Sequence, residues 1–192
     1  MRKVIVTEFL SLDGVMEDPS SWQQGYSSPD IGQFKRDELF GSGALLLGRV
    51  TYEGFARYWP GATETGDFGE RMNSLPKFVV TTTRTSLEWN ATALAGDVGA
   101  AVEGLKRQEG GSLLVYGSGA LARTLLRRGL VDELRLMVFP VIVGGGKRFF
   151  TDEDRLALKL AASRTLGAGV VLLTYGPAPG TSPGQTPGRP TA

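Results

Sequence analysis

The sequence contains no histidine and no cysteine. Each absence removes a class of chemistry. Without cysteine there are no disulfides, thiolate nucleophiles or zinc–thiolate sites. Without histidine there is no Ser-His-Asp triad, imidazole general base or His-ligated metal. No metal site is expected. An excess of one charge is missing too: 21 Lys and Arg stand against 20 Asp and Glu, a net charge of +1. No long-range field then draws the chain to nucleic acid or to an anionic membrane. No stretch is apolar for long enough to span a bilayer. The N-terminal residues meet Glu8 and Asp13 too early for a signal peptide. The lack of cysteine fits a reducing compartment, and a cytoplasmic location is expected. What remains is chemistry carried by a cofactor, by carboxylates, or by Lys, Tyr, Ser or Thr.

What is present describes a globular chain. Its 192 residues make one ordinary domain, with 41% hydrophobic and 21% charged residues. The stretch 177–192 differs: it holds five of the 10 prolines and no large apolar residue. Such a segment cannot bury enough surface to offset its ordering entropy, so a disordered Pro/Gly-rich tail is expected after a domain at 1–176.

Within 1–176, apolar runs alternate with amphipathic segments. The runs are Val4–Val6, Ala44–Leu47, Phe78–Val80, Leu113–Tyr116, Leu134–Val143 and Val170–Leu173. Most are continuous, as suits strands buried on both faces. Helices are expected between them. One opens at Ser28-Pro29-Asp30, with Ile31, Phe34 and Leu39 inward. One opens at Asp97, with Val98, Val102 and Leu105 inward. One runs from Ala120 to Arg128, with Leu121 and Leu125 inward and Gly129 as its stop. This alternation predicts an α/β fold with helices on both faces of a largely parallel sheet. The polar connection 15–29 has the length of a lid.

Two junctions carry chemistry. Tyr116-Gly117-Ser118-Gly119-Ala120-Leu121 is a strand, a glycine turn and a helix start. Glycines let the backbone approach an anion, and free N–H groups with the helix dipole stabilise its charge. A Rossmann domain would also need an acid at the end of the next strand; here Asp132 and Glu133 precede that strand. On the residues alone, a tight turn that merely needs glycine stays open. The second junction is Gly48-Arg49-Val50-Thr51: close approach at Gly48, a bidentate fork at Arg49, a hydroxyl at Thr51. Arg49 as a solvated surface charge is the alternative. Two such turns in one small domain suggest a ligand with more than one phosphate, such as a dinucleotide. Gly144-Gly145-Gly146-Lys147 fails as a P-loop, because Arg148 stands where Ser or Thr is required.

These segments resemble the dihydrofolate reductase-like superfamily. Within it they resemble the stand-alone proteins similar to the reductase domain of bacterial riboflavin-pathway deaminase-reductases. The matching segments are Ser11-Leu12-Asp13-Gly14, Leu46 to Glu53, Lys77 to Thr81, Val115 to Gly119 and Pro140 to Phe150, in family order. The resemblance implies a mixed, mainly parallel central sheet with helices on both faces, often a homodimer, and NADPH as hydride donor. Carried over by position, Gly48, Arg49, Val50 and Thr51 would hold phosphates and the adenosine ribose. Thr81, Thr82, Thr83 and Arg84 would lie near the adenosine 2′-phosphate. Gly117, Ser118, Gly119, Ala120 and Leu121 would hold the pyrophosphate. Asp13 and Gly14 would sit in a loop beside the nicotinamide. Asp30 matches the acid that holds the pterin in folate reductases, followed by Phe34-Lys35-Arg36 at the same spacing. It is the candidate catalytic residue, with an acid favoured by the helix dipole as the alternative. Glu8 and Asp13 are the other acids near the expected site.

Two departures shape the expectation. Folate reductases carry an arginine before the third strand. Here that stretch reads Asn73-Ser74-Leu75-Pro76-Lys77, and lysine is a poor bidentate substitute. The riboflavin-pathway deaminase needs His and Cys on zinc, and neither exists here. The expected activity is therefore NADPH-dependent reduction of a C=N or C=O group on a small, heterocyclic substrate. A non-catalytic nucleotide or small-molecule binder of the same fold is the alternative, with dihydrofolate reductase a further one.

Overall fold

Every one of the apolar runs becomes a strand of one sheet. The computed structural model describes residues 1–83 and 86–179. In chain order the strands are β1 (Val4–Ser11), β2 (Ser42–Gly48), β3 (Lys77–Val80), β4 (Ala91–Leu94), β5 (Ser112–Tyr116), β6 (Glu133–Phe139), β7 (Leu158–Thr165) and β8 (Val171–Pro177). They lie side by side in the order β4-β3-β2-β5-β1-β6-β8-β7. From β4 to β6 all neighbours are parallel. β8 is antiparallel to both β6 and β7. The helices are α1 (Pro19–Trp22), α2 (Pro29–Phe40), α3 (Arg49–Tyr58), α4 (Gly66–Ser74), α5 (Val98–Arg107) and α6 (Gly119–Arg127).

Strand alternation divides the core into layers. Val4, Val6, Leu46, Leu113 and Val115 face one side, where they meet Val102 and Leu105 of α5 and Leu121, Ala122 and Leu125 of α6. Ile5, Leu45, Leu47, Val79 and Leu114 face the other, against Leu39 of α2, Tyr52 of α3 and Met72 of α4. A third cluster joins Met137, Phe139 and Leu172 to Ile31 of α2. Because both faces are covered, the central strands read as continuous apolar runs.

Local signals act largely as their chemistry dictates. The Asp97 side chain caps α5, accepting the Ala100 N–H at 2.8 Å. α2 starts after Ser28 with Pro29 in its first turn, but the Ser28 hydroxyl donates to Asp30 rather than capping the backbone. The expected long strand from Leu134 stops at Phe139, because Pro140 has no N–H for a ladder. The last strand takes in Pro177, one residue into the expected tail, and residues 180–192 lie outside those described. The 15–29 connection carries α1 and two aromatic anchors. Trp22 and Tyr26 meet the Phe139 ring edge-on, with centroids 5.6 and 6.0 Å away. Among the described residues, no helix is long and apolar enough to cross a membrane. No group of His, Cys, Asp or Glu among them could hold a metal ion.

Candidate functional site

β2 and β5 are neighbours, yet the chain leaves them toward opposite faces. α3 packs on the α2 side of the sheet and α6 on the α5 side. Where adjacent parallel strands send their chains apart, a crevice opens at their carboxyl ends, and this is the usual ligand position of open α/β sheets. The two glycine turns meet there. The Gly48 N–H donates to Ser118 Oγ at 2.9 Å. Gly117 and Ser118 are successive left-handed residues, with φ of +54° and +62°. A Cβ on Gly117 would meet Thr51 Cγ2 and Oγ1 at 3.4 Å. Among the described residues no side chain caps either α3 or α6. The first-turn N–H groups of Arg49, Val50 and Thr51, and of Gly119, Ala120 and Leu121, therefore point out of two adjacent helix starts without intrahelical partners. The positive ends of both helix dipoles coincide with them.

The row continues on both sides. Thr81, Thr82 and Thr83 follow β3, next to β2. Thr81 is buried and its Oγ1 accepts the Thr83 N–H at 3.3 Å, while Thr82 and Thr83 are exposed. Arg84 lies outside the described residues. Arg49 is engaged by Glu53 at 3.0 Å on the outer surface of α3. On the other side stands β1, which runs on past its last pairing with β5, Thr7 opposite Tyr116. At a strand spacing of ~4.8 Å, the row from β3 to β1 is about 14 Å wide. That suits an extended ligand.

Beyond β1, the Asp13 carboxylate clamps a neighbouring turn. It accepts the Ser11 hydroxyl at 2.7 Å and the N–H groups of Val143 and Gly144 at 3.1 and 2.9 Å. These bonds, that from Ser11 foremost, hold its carboxyl down to about 2. Val143 and Gly144, at the start of the glycine-rich turn, thus spend their N–H groups on Asp13. The Gly14 carbonyl accepts the Phe149 N–H at 3.0 Å, and a Cβ on Gly119 would stand 2.4 Å from Met16 Sδ. The loop after β1 therefore leans on the start of α6, beside the glycine turn.

Under the crevice lie charges that the apolar pattern hides. On the α2 side, Lys35 Nζ donates to Glu38 at 2.5 Å and lies 4.2 Å from the centre of the Tyr116 ring. The fully buried Glu38 carboxylate also accepts Arg135 at 3.1 Å, and Arg135 pairs with Glu133 at 2.6 Å. Burial lowers the Lys35 pKa against the pull of Glu38. The Tyr116 hydroxyl is buried with no hydrogen-bond partner among the described residues; burial raises its pKa, and the nearby Glu38 charge adds to the rise. On the opposite side of the sheet, Glu8 shares the face of Val6 and Leu10. Its side chain is buried, its Oε1 has no hydrogen-bond partner among the described residues, and burial pushes its carboxyl up to about 8. Two unpartnered polar atoms thus flank the β1–β5 seam at Gly117, where native interiors rarely leave any.

Over residues 2–172 the sequence matches the family model of the RibD C-terminal domain. The chain belongs to this family. A curated relative is the uncharacterized protein YyaP of Bacillus subtilis strain 168, 29% identical over 181 residues that cover 91% of this chain and 94% of YyaP. Among solved structures, one from Shewanella sp. PV-4, named provisionally as a riboflavin biosynthesis protein, superposes with a TM-score of 0.70 at 22% identity. It covers 91% of this chain and 98% of its own. A pyrimidine reductase-like protein of Corynebacterium diphtheriae superposes with a TM-score of 0.62 at 14% identity, over 91% of each chain. These two likenesses show the fold, the mixed, mainly parallel sheet described above.

In this RibD C-terminal fold, the expected cofactor residues that are described form one row of strand ends. Asp30 lies elsewhere. Its exposed carboxylate accepts the Ser28 hydroxyl at 2.5 Å and the Gly167 N–H at 2.9 Å, which ties the start of α2 to the β7–β8 turn. These bonds, that from Ser28 foremost, lower its pKa. Lys77 is turned inward: its Nζ donates to the Asn73 carbonyl at 2.7 Å and sits 4.0 Å from the Trp89 ring centre. It presents no cation to a folate-type carboxylate. Lys35 enters the sequence reading only within the Phe34-Lys35-Arg36 match, and Glu38 and Arg135 do not enter it. One signal for two of them exists: Lys35 and Glu38 fall four and seven residues after Ile31, on the buried stripe of α2.

Proposed function

We propose that the protein is an NADPH-dependent reductase that delivers hydride to a C=N or C=O group of a small nitrogen heterocycle, in or beside riboflavin biosynthesis. The single observation that carries this reading is the pair of uncapped helix starts at the ends of β2 and β5, joined by Gly48 and Ser118. Family membership and the printed names of the structural neighbours support the reductase class. The residues fit the cofactor. Gly48–Thr51 and Gly117–Leu121 would hold its phosphates on backbone N–H groups, and Thr81–Thr83 would meet its 2′-phosphate. Gly117 leaves room that a Cβ would fill. When bound, the nicotinamide supplies hydride; the protein supplies orientation and a proton source. Asp30, with its carboxylate held in the anionic form, serves in this reading as an orienting anion at the start of α2 rather than as a proton donor. A cytoplasmic homodimer goes with the proposal. β7 offers an open sheet edge with exposed side chains from Lys159 to Thr165, and chromatography at the mass of one chain would remove the dimer.

Titration with NADPH and NADH, followed by tryptophan fluorescence and calorimetry, tests the proposal. Tight NADPH binding with much weaker NADH binding supports it, and oxidation of NADPH with a panel of pyrimidine imines and carbonyls then identifies the substrate. Binding of neither nucleotide overturns it.

A further inference from the structure

The Glu8 carboxyl stands in an unusual position. It lies on β1 one residue beyond the last β1–β5 pair, Thr7 with Tyr116, level with the Gly117 turn. Strand alternation puts it on the α6 side with Val6 and Leu10. Its residue is 4% exposed, and Oε1 meets no donor or acceptor among the described residues. Among the described residues no bridging cation explains it. Lys35, whose charge reaches it through the sheet, donates to Glu38. Arg135 on β6 is held by Glu133 and Glu38. Arg123 on α6 donates to the Phe149 carbonyl and lies 3.7 Å from Asp154. β5 brings the uncharged Tyr116 hydroxyl. A buried carboxyl left so keeps its proton, because an isolated buried charge is far costlier than a neutral acid. At neutral pH it is then one donor and one acceptor, unpaired, at the edge of a ligand crevice.

Its place in the row selects what it meets. Thr81–Thr83 and the helix starts lie on the β3, β2 and β5 side, where anions are favoured. Glu8 lies past them on β1, where an acid would repel a phosphate and a neutral polar group would be welcome. We propose that the Glu8 carboxyl binds the carboxamide of the nicotinamide end of the dinucleotide. An acid and a primary amide match as donor-acceptor pairs, and ionisation removes the donor of that match. This inference rests on the dinucleotide reading of the crevice.

The test compares two probes, NADPH and 2′-phospho-ADP-ribose, which lacks nicotinamide. Each is titrated by calorimetry at pH 7 and pH 9 against wild type, Glu8→Gln and Glu8→Leu. If only the protonated form binds nicotinamide, wild-type NADPH affinity falls about tenfold between the two pH values, given a carboxyl pushed up to about 8. The nicotinamide-free probe shows no such fall, which also controls for Lys77 and other groups titrating in the range. Glu8→Gln, an amide with donor and acceptor, keeps the pH 7 affinity for NADPH and loses its pH dependence. Glu8→Leu loses about tenfold or more in NADPH affinity yet binds 2′-phospho-ADP-ribose as wild type does, which reports an intact fold. Identical pH profiles for the two probes, or unchanged NADPH binding by Glu8→Leu, overturn the role of Glu8. Failure of wild type to bind either probe overturns the dinucleotide reading itself.

Discussion

Replacing Gly117 by alanine separates backbone strain from ligand access. Gly117 has φ of +54°, and a left-handed non-glycine residue costs about 1–2 kcal/mol. The added Cβ would sit 3.4 Å from Thr51, an ordinary contact that adds little. Stability should therefore drop by about 1–2 kcal/mol, or roughly 2–8 °C in Tm for a chain of this size. Gly117→Asn should lose less stability, because asparagine tolerates this conformation better. Its side chain is larger, so it should obstruct a close-lying phosphate more. The two properties then move in opposite directions along the series. Alanine is the more destabilised variant and asparagine the weaker binder, with NADPH affinity down at least about tenfold in both. Thermal melts and calorimetric titration measure the two. If both variants bind NADPH within about threefold of wild type, the turn is punctuation and not a phosphate cradle.

Three further outcomes are expected. Lys77 is buried, its Nζ donates to the Asn73 carbonyl, and burial lowers its pKa from 10.5 to about 8. Below pH 8 the native state carries the desolvated charge. Between about 8 and 10.5 it loses its proton before the unfolded chain does, so this residue makes stability rise with pH by at most about 3 kcal/mol. Lys77→Met should be more stable at pH 7 and lack that rise in urea denaturation across pH; a parallel pH profile refutes the account. Glu38→Ala strands Lys35 inside the fold, leaves Arg135 to Glu133 alone and should cost about 3–5 kcal/mol, read by the same denaturation, with a loss under about 1 kcal/mol counting against a working ion cluster. Asp13→Asn should speed hydrogen exchange at the Val143 and Gly144 amides, and unchanged exchange would show that the carboxylate is no clamp.

Much of the fold was legible because burial on both faces writes continuous apolar runs, as at Ala44–Leu47 and Leu113–Tyr116. The strands that escaped are those burial does not mark. β7 reads Leu-Lys-Leu-Ala-Ala-Ser-Arg-Thr and is exposed over nearly its whole length at the sheet edge. β4 is a four-residue edge strand. The glycine junctions were legible because backbone conformation demands the residue: Gly117 needs a left-handed φ. The buried charges were not. Lys35 and Glu38 are ordinary helix surface residues by type, and only the three-dimensional pairing with Arg135, far along the chain, lets them enter the core. The sequence marks Glu8 as a nearby acid, but its protonation depends on the absence of partners, which no spacing encodes.

The central place of β1 has a consequence for how the molecule is made. Its two neighbours are β5, with partners Leu113 to Tyr116, and β6, with partners Glu133 to Phe139. β1 ends at Ser11 and β5 starts at Ser112, so β1 is synthesised about a hundred residues before either neighbour exists. Strands drawn from such distant parts of a sequence close late and expose apolar edges meanwhile. Glu8, Asp13 and Gly14 all belong to this waiting segment or follow directly on it. The crevice is thus among the last features to form on the emerging chain, and a chain stalled before β5 has no site at all.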